Sequence, residues 1–139
     1  MDLAKGIEFA RAHRQSILTT IRKDGRPQQS NVLHWIPEDG IARISITADR
    51  AKYFNLKREP WAALHVSSDD FWSYAVLEGP AEVTPVAADP QDATVDELVD
   101  YYRALSGEHP DWDDYRRAMV ADRRVVVRID PDHAYGLVR

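Results

Sequence analysis

The chain has no cysteine. A disulfide framework is therefore excluded, and so is any thiolate metal or redox site. Redox chemistry, if the protein performs it, must be carried by a bound cofactor. Glycine is sparse, and its six positions form neither G-x-x-x-x-G-K nor G-x-G-x-x-G, which disfavours nucleotide binding by a P-loop or a Rossmann turn. No stretch approaches the roughly 18–20 apolar residues that span a bilayer. Positive charge is in deficit: 18 Lys and Arg stand against 23 Asp and Glu, for a net charge of −5. Nonspecific nucleic-acid binding needs a basic footprint, so an acidic chain argues against it. The five histidines, His13, His34, His65, His109 and His133, are scattered without H-x-x-x-H spacing, and no metal site is expected. Met1 to Ser16 carries charges throughout and lacks the apolar core of a secretory leader, so a soluble cytoplasmic protein is expected.

What is present reads as one globular domain over residues 1–139, with 44% hydrophobic and 29% charged residues. Leu3, Ile7 and Ala10 fall at helical spacing within residues 3–14, although Gly6 weakens that helix. Ser16–Ile21, Gln28–Ile36 and Ile41–Thr47 read as three strands of a β-meander. They are separated by Asp24-Gly25 and Asp39-Gly40, whose glycines supply the positive φ of tight turns. A short helix is expected over Ala51–Arg58, a strand over Trp61–Ser67, and one long strand over Trp72–Pro85, kinked near Gly79-Pro80. Pro90–Ser106 carries a helical stripe that Gly107 stops, and Trp112–Ala121 is a second helix capped by Asp111. Arg124–Ile129 and His133–Val138 close the chain as strands. Short strands with hairpin turns at near-regular spacing predict a mainly β protein, a closed or nearly closed barrel with peripheral α-helices.

Three segments have the residue types for chemistry. Arg50-Ala51-Lys52 sits where a strand gives way to a helix, and two cations beside open helix N–H groups suit a phosphate. The same residues fit a solvated basic helix start, and taken alone the motif is more often that. Gln28-Gln29-Ser30-Asn31-Val32 is a polar patch in an apolar strand. Its amides and hydroxyl suit the edge of a heteroaromatic ring, although such a run taken alone is more often the ordinary polar face of an edge strand. Phe71-Trp72-Ser73-Tyr74 is an aromatic cluster that suits the wall of a pocket for a flat cofactor, although in isolation such a cluster is more often plain core filling. Arg124, at a strand start, is a further cation able to face an anion. The alternating charges of Asp111–Arg117 fit surface ion pairing.

Together, S-I-L-T-T-I-R-K-D-G-R-P-Q-Q-S-N-V, S-I-T-A-D-R-A-K-Y-F-N-L and W-S-Y-A-V-L-E-G-P-A-E-V resemble the pyridoxamine 5′-phosphate oxidase-like split β-barrel superfamily. Within it, the chain is similar to the group of coenzyme F420-dependent oxidoreductases, over about residues 7 to 138. The resemblance implies a homodimer with two equivalent cofactor sites at the subunit interface; charge and hydropathy add the expectation of no nucleic-acid and no membrane partner. It implies that Arg50 and Lys52 hold the cofactor phosphate, and that Gln28, Gln29, Ser30, Asn31 and Val32 line the deazaflavin ring with Ser45 and Ile46. Trp72, Ser73 and Tyr74 would close the pocket from the second subunit, and Arg124 would join the site. Asn55 is assigned no firm part, since its side chain equally caps the local helix. Lys57 and Arg58 follow the phosphate motif and suit the acidic tail of F420. The implied activity is hydride transfer from reduced F420 to a conjugated or electron-poor small molecule, with no side chain evident as the proton donor. FMN in the same fold, and a non-catalytic F420 store, are the alternatives.

Overall fold

In the computed structural model, which describes residues 1–139, seven strands and four helices alternate. They are α1 (Leu3–Arg11), β1 (Gln15–Ile21), β2 (Pro27–Leu33), β3 (Ala42–Thr47), α2 (Ala51–Arg58), β4 (Trp61–Ser67), β5 (Tyr74–Val83), α3 (Ala93–Ser106), α4 (Trp112–Ala121), β6 (Arg124–Ile129) and β7 (His133–Leu137). All pairings are antiparallel and run β2-β1-β4-β5-β6-β3, with β7 also on β5. The sheet curls until its edges β2 and β3 come near each other without pairing. The result is a split β-barrel with four peripheral helices, as the resemblance implied. No helix is long and apolar enough to cross a membrane.

Period-two alternation sets the inside of the barrel. Leu18 of β1, Ile44 and Ile46 of β3, Leu64 and Val66 of β4, Leu77 of β5, and Val125, Val127 and Ile129 of β6 all turn into one core. Burying a side chain of this size is worth about 1.5–3 kcal/mol. Val126 points the other way and packs with Val95, Leu98, Val99, Tyr115 and Met119 in a second cluster under α3 and α4. β6 is thus covered on both faces, which is why it reads as an uninterrupted valine run. Arg128 ties α3 to the barrel through Glu97, which also lies 3.7 Å from Arg43 of β3.

The expected meander does not form beyond its first hairpin. β1 and β2 pair across the Gly25 turn, but β3 pairs with β6, and only the Trp35–Arg43 bridge links its start to the end of β2. The cause lies in residues 34–37. His34 turns fully inward, held by Ser16 and the Ala10 carbonyl, and Pro37 cannot donate to a ladder. β3 then finds its hydrogen bonds on the valine-rich β6. The kink read at Gly79-Pro80 is where β5 changes partners: Tyr74 to Pro80 pair with β4, and Ala81 to Val83 with β6. A Cβ on Gly79 would meet the Asp130 carbonyl oxygen at 2.4 Å, so the β6–β7 connection crosses there only because the side chain is absent.

Several boundaries are shorter than the sequence suggested. β2 stops at Leu33, and α1 stops at Arg11. β5 begins at Tyr74 because the Ser68–Ser73 turn holds Trp72 outside the sheet: Asp70 accepts from the Trp72 N–H and Ser68 hydroxyl, and Phe71 adopts φ +80. α3 begins at Ala93, where Asp92 caps the Val95 N–H at 2.9 Å. The helix stop at Gly107 (φ +80) and the Asp111 cap of α4 are as read.

Candidate functional site

A cavity of about 440 Å³ opens at the seam between the unpaired edges, β2 and β3, under the start of α2. Three stretches of sequence converge there. β2 contributes the inward side chains Gln28 and Ser30, β3 contributes Ser45, Ile46 and Thr47, and the β3–α2 corner brings Arg50, Ala51 and Lys52. Arg124, opposite Thr47 in the β3–β6 register, completes the wall. Arg50 is the N-terminal flank of α2, extended at φ −83 and ψ 151, with no side-chain cap hydrogen bond. The first N–H groups of α2 therefore keep their partial positive charge for whatever enters the cavity.

The electrostatics are one-sided. No carboxylate lines the cavity, while three cations do. Lys52 Nζ donates to Ser30 Oγ at 3.2 Å, and Arg124 Nη1 approaches Ser45 Oγ at 3.4 Å. Arg124 Nε is buried without a hydrogen-bond partner; the Asp122 carboxylate, at 3.9 Å, is beyond hydrogen-bond reach. Burial first, then repulsion from Arg50 and Arg124, holds the Lys52 ammonium below its ordinary pKa of 10.5. A buried donor without a partner costs about 1–3 kcal/mol, and clustered cations add to it. An anion with several acceptor oxygens offsets the repulsion among these three cations, and a phosphate group fits.

The seam also exposes backbone. The β1–β2 ladder ends in Arg22 N–H to Arg26 C=O and in His34 N–H to Arg14 C=O, each at 2.8 Å. Alternation then turns the backbones of Gln28, Ser30 and Val32 toward β1 and those of Gln29, Asn31 and Leu33 toward the seam. An edge of this kind presents paired donors and acceptors to a flat heteroaromatic ring.

The structure separates the residues read from sequence into three sets. Gln28, Ser30, Ser45, Ile46, Arg50, Lys52 and Arg124 share the cavity. Asn31 and Val32 line a wider outer cavity of about 1190 Å³ with Leu33, His65 and Ser67, and the Gln29 side chain faces outward, donating to Thr19 Oγ1 at 3.3 Å. Trp72, Ser73 and Tyr74 lie at the start of β5, three strands from β2, and reach neither β2 nor the cavity of their own chain. Trp72 is exposed, Ser73 Oγ accepts from the Arg139 N–H, and Tyr74 meets His65 edge-on at 5.3 Å.

Thr47 lines the cavity and was not read from sequence. Tyr101 was missed too. Its hydroxyl donates to the Leu33 carbonyl at 2.9 Å, on the free edge of β2. Burial raises its pKa, against the opposing effects of the Ser45 backbone and Arg124. This α3 phenol plugs one end of the seam. Its sequence signal was a single tyrosine off the α3 stripe, indistinguishable from a surface aromatic.

A curled antiparallel sheet split between two edge strands, with four helices at its periphery, defines the class of split β-barrels. The family model for pyridoxamine 5′-phosphate oxidase matches residues 5–137, and the chain belongs to that family. Among solved structures it is similar to a conserved hypothetical protein from Mycobacterium tuberculosis, with 21% identity over 98% of this chain and 84% of the other, at a TM-score of 0.74. It is similar to an F420 reductase at 26% identity, covering 92% of this chain and 94% of that one, with a TM-score of 0.65. A pyridoxamine 5′-phosphate oxidase-related, FMN-binding protein from Nostoc punctiforme matches 95% of this chain and 77% of its own length at 14% identity and a TM-score of 0.60.

Proposed function

We propose that this protein is an oxidoreductase that binds coenzyme F420 in the β2–β3 seam and uses it to reduce a conjugated or electron-poor small molecule. The carrying observation is the carboxylate-free cavity in which Arg50, Lys52 and Arg124 converge. The likeness to an F420 reductase, at 26% identity over nearly the whole chain, favours F420 over FMN.

In this reading the cradle would hold the cofactor phosphate, and the free edge at Gln29 and Asn31 would fix the ring by backbone hydrogen bonds. The bound cofactor, when reduced, supplies a hydride, and solvent supplies the proton that completes the reduction. The chain's own part is to orient the two rings and exclude water between them. Trp72, Ser73 and Tyr74 act on the site of a second copy, so the functional unit is a homodimer. The protein works in the cytoplasm.

Fluorescence titration with F420 and with FMN tests the cofactor. Preferential binding of F420 is expected. A yellow preparation carrying FMN would replace this reading with a flavin enzyme of the same fold. Mixing the protein with reduced F420 and enone or quinone acceptors then tests the activity. Tight binding without acceleration over free reduced F420 would make the protein a cofactor store.

A further inference from the structure

The cavity's polarity is fixed from behind it, by a relay of groups that line no part of it. Arg58, in the last turn of α2, donates through Nη2 to the Ile21 carbonyl at 3.0 Å and to Asn55 Oδ1 at 3.1 Å. A guanidinium only donates, so the Asn55 atom facing it must be the oxygen. The Asn55 amide nitrogen then faces the other way, donating to Thr20 Oγ1 at 3.1 Å and to Gln28 Oε1 at 2.8 Å. An NH2 group also only donates, so Gln28 must turn its oxygen to Asn55. Its own Nε2 donors are left for the cavity. Asn55 and Thr20 are buried, so no water competes to randomise the order.

We infer that Asn55, oriented by Arg58, is a positioning residue that locks the Gln28 amide as a donor and so makes the cavity selective for phosphoryl oxygens. The inference rests on the reading of this cavity as the cofactor's phosphate site. Its consequence is that the asparagine of R-A-K-x-x-N, in the second turn of α2, acts on the ligand through a strand residue 27 positions away. Arg58 itself is exposed and commits Nη2 to this relay.

Asn55→Asp reverses the relay. One carboxylate oxygen still accepts from Arg58, but the other now demands a donor from Gln28, which must present Oε1 to the cavity. The experiment measures binding of FMN, F420 and inorganic phosphate to the wild type, Asn55→Asp, Gln28→Ala and the double variant. The expected loss for Asn55→Asp is about tenfold or more, the scale of one hydrogen bond to a charged group. In the Gln28→Ala background the same change is expected to cost less than about threefold. Equal losses in both backgrounds would show a through-space charge or packing effect and overturn the inference, as would no loss at all. Should Asn55→Asp fail to fold, the wild type carries the test. The side-chain amide protons of Gln28 are expected to shift in the ¹⁵N-correlated NMR spectrum on adding phosphate, and unmoved protons would overturn the inference. A wild-type protein that binds none of the three ligands would instead overturn the phosphate-site reading itself.

Discussion

Lys52 Nζ donates to Ser30 Oγ at 3.2 Å, joining the first turn of α2 to β2 across the open seam of the barrel. The contact places an ammonium where no carboxylate lines the wall. Lys52→Ala and Arg50→Ala are each expected to weaken binding of a phosphorylated cofactor by about 1.5–3 kcal/mol, the range for charged phosphate contacts. Titration by fluorescence or calorimetry checks this. Unchanged affinity in both variants would move the phosphate elsewhere.

The same ammonium predicts a pH dependence. In the free protein Lys52 titrates below 10.5, through burial and then the neighbouring guanidinium groups of Arg50 and Arg124. A bound anion favours the charged form and lifts that pKa. Affinity should therefore fall as pH rises through the lowered Lys52 value, by up to about tenfold per unit until the bound-state value is reached. Lys52→Arg should flatten the profile, because arginine stays charged throughout. The linkage has a second face. Without ligand, the unfolded chain holds the Lys52 proton more tightly than the native protein does. Stability of the ligand-free protein should then rise with pH across the window between the two pKa values. Lys52→Met should raise the ligand-free melting temperature while removing the binding, a trade of stability for function.

How much of this was legible in the sequence depends on the range of the interactions. The Asp24-Gly25 hairpin, the Asp111 cap, the Gly107 stop and the Ala51–Arg58 helix are local, and local chemistry decided them. The partner of β3 was not local. Nothing between Ile41 and Thr47 distinguishes pairing with β2 from pairing with a strand some 80 residues on; only the two-sided burial of Val125–Ile129 does. The cavity followed the same rule. Arg50 and Lys52 were visible as a basic strand-to-helix corner. Thr47 and Tyr101 were not, because their roles come from the closing of the barrel and the docking of α3. The run Gln28–Val32 was read as one wall, yet a strand alternates, and the structure sends Gln28 and Ser30 inward and the Gln29 and Asn31 side chains out.

His34 predicts an acid weakness. It is fully buried, with Nε2 at 2.8 Å from the Ala10 carbonyl and Nδ1 at 2.8 Å from Ser16 Oγ. A carbonyl only accepts, so Nε2 carries the proton, and in the neutral ring Nδ1 accepts from the serine hydroxyl. Burial, the largest cause, lowers its pKa from 6.5. Above 6.5 neither state gains a proton and the contribution to stability is complete. As pH falls from 6.5 toward the lowered native value, the unfolded chain protonates first and stability drains away. Chemical denaturation at a series of pH values checks this. A His34→Gln variant, destabilised at pH 8, should lose less of its remaining stability on acidification than the wild type loses. An equal slope in both proteins would assign the acid response to other groups.

The outer face of β2-β1-β4-β5-β7 carries exposed apolar side chains. Cross-strand register puts Leu33, Ile17, His65, Val76, Tyr135, Tyr74 and Leu137 on that one face. Leu33, Tyr135 and Leu137 are exposed there, and Phe71 and Trp72 are exposed on the turn leading into β5. Apolar side chains gathered on one sheet face are the composition of an interface. In the homodimer proposed above, a second copy seated on this face would also give Trp72, Ser73 and Tyr74 a cavity to act on, since their own lies three strands away. Replacing Tyr135 and Leu137 together by lysine should convert a dimer to a monomer in sedimentation velocity, because both charges would be desolvated against the partner. The fold should survive, as both side chains are about half exposed, at 47% and 52%. Cofactor affinity should fall with the dimer while the inorganic-phosphate affinity of the Arg50–Lys52–Arg124 cradle stays, since every residue of that cradle comes from one chain. A wild-type protein that sediments as a monomer and still binds cofactor tightly would show that one barrel is sufficient.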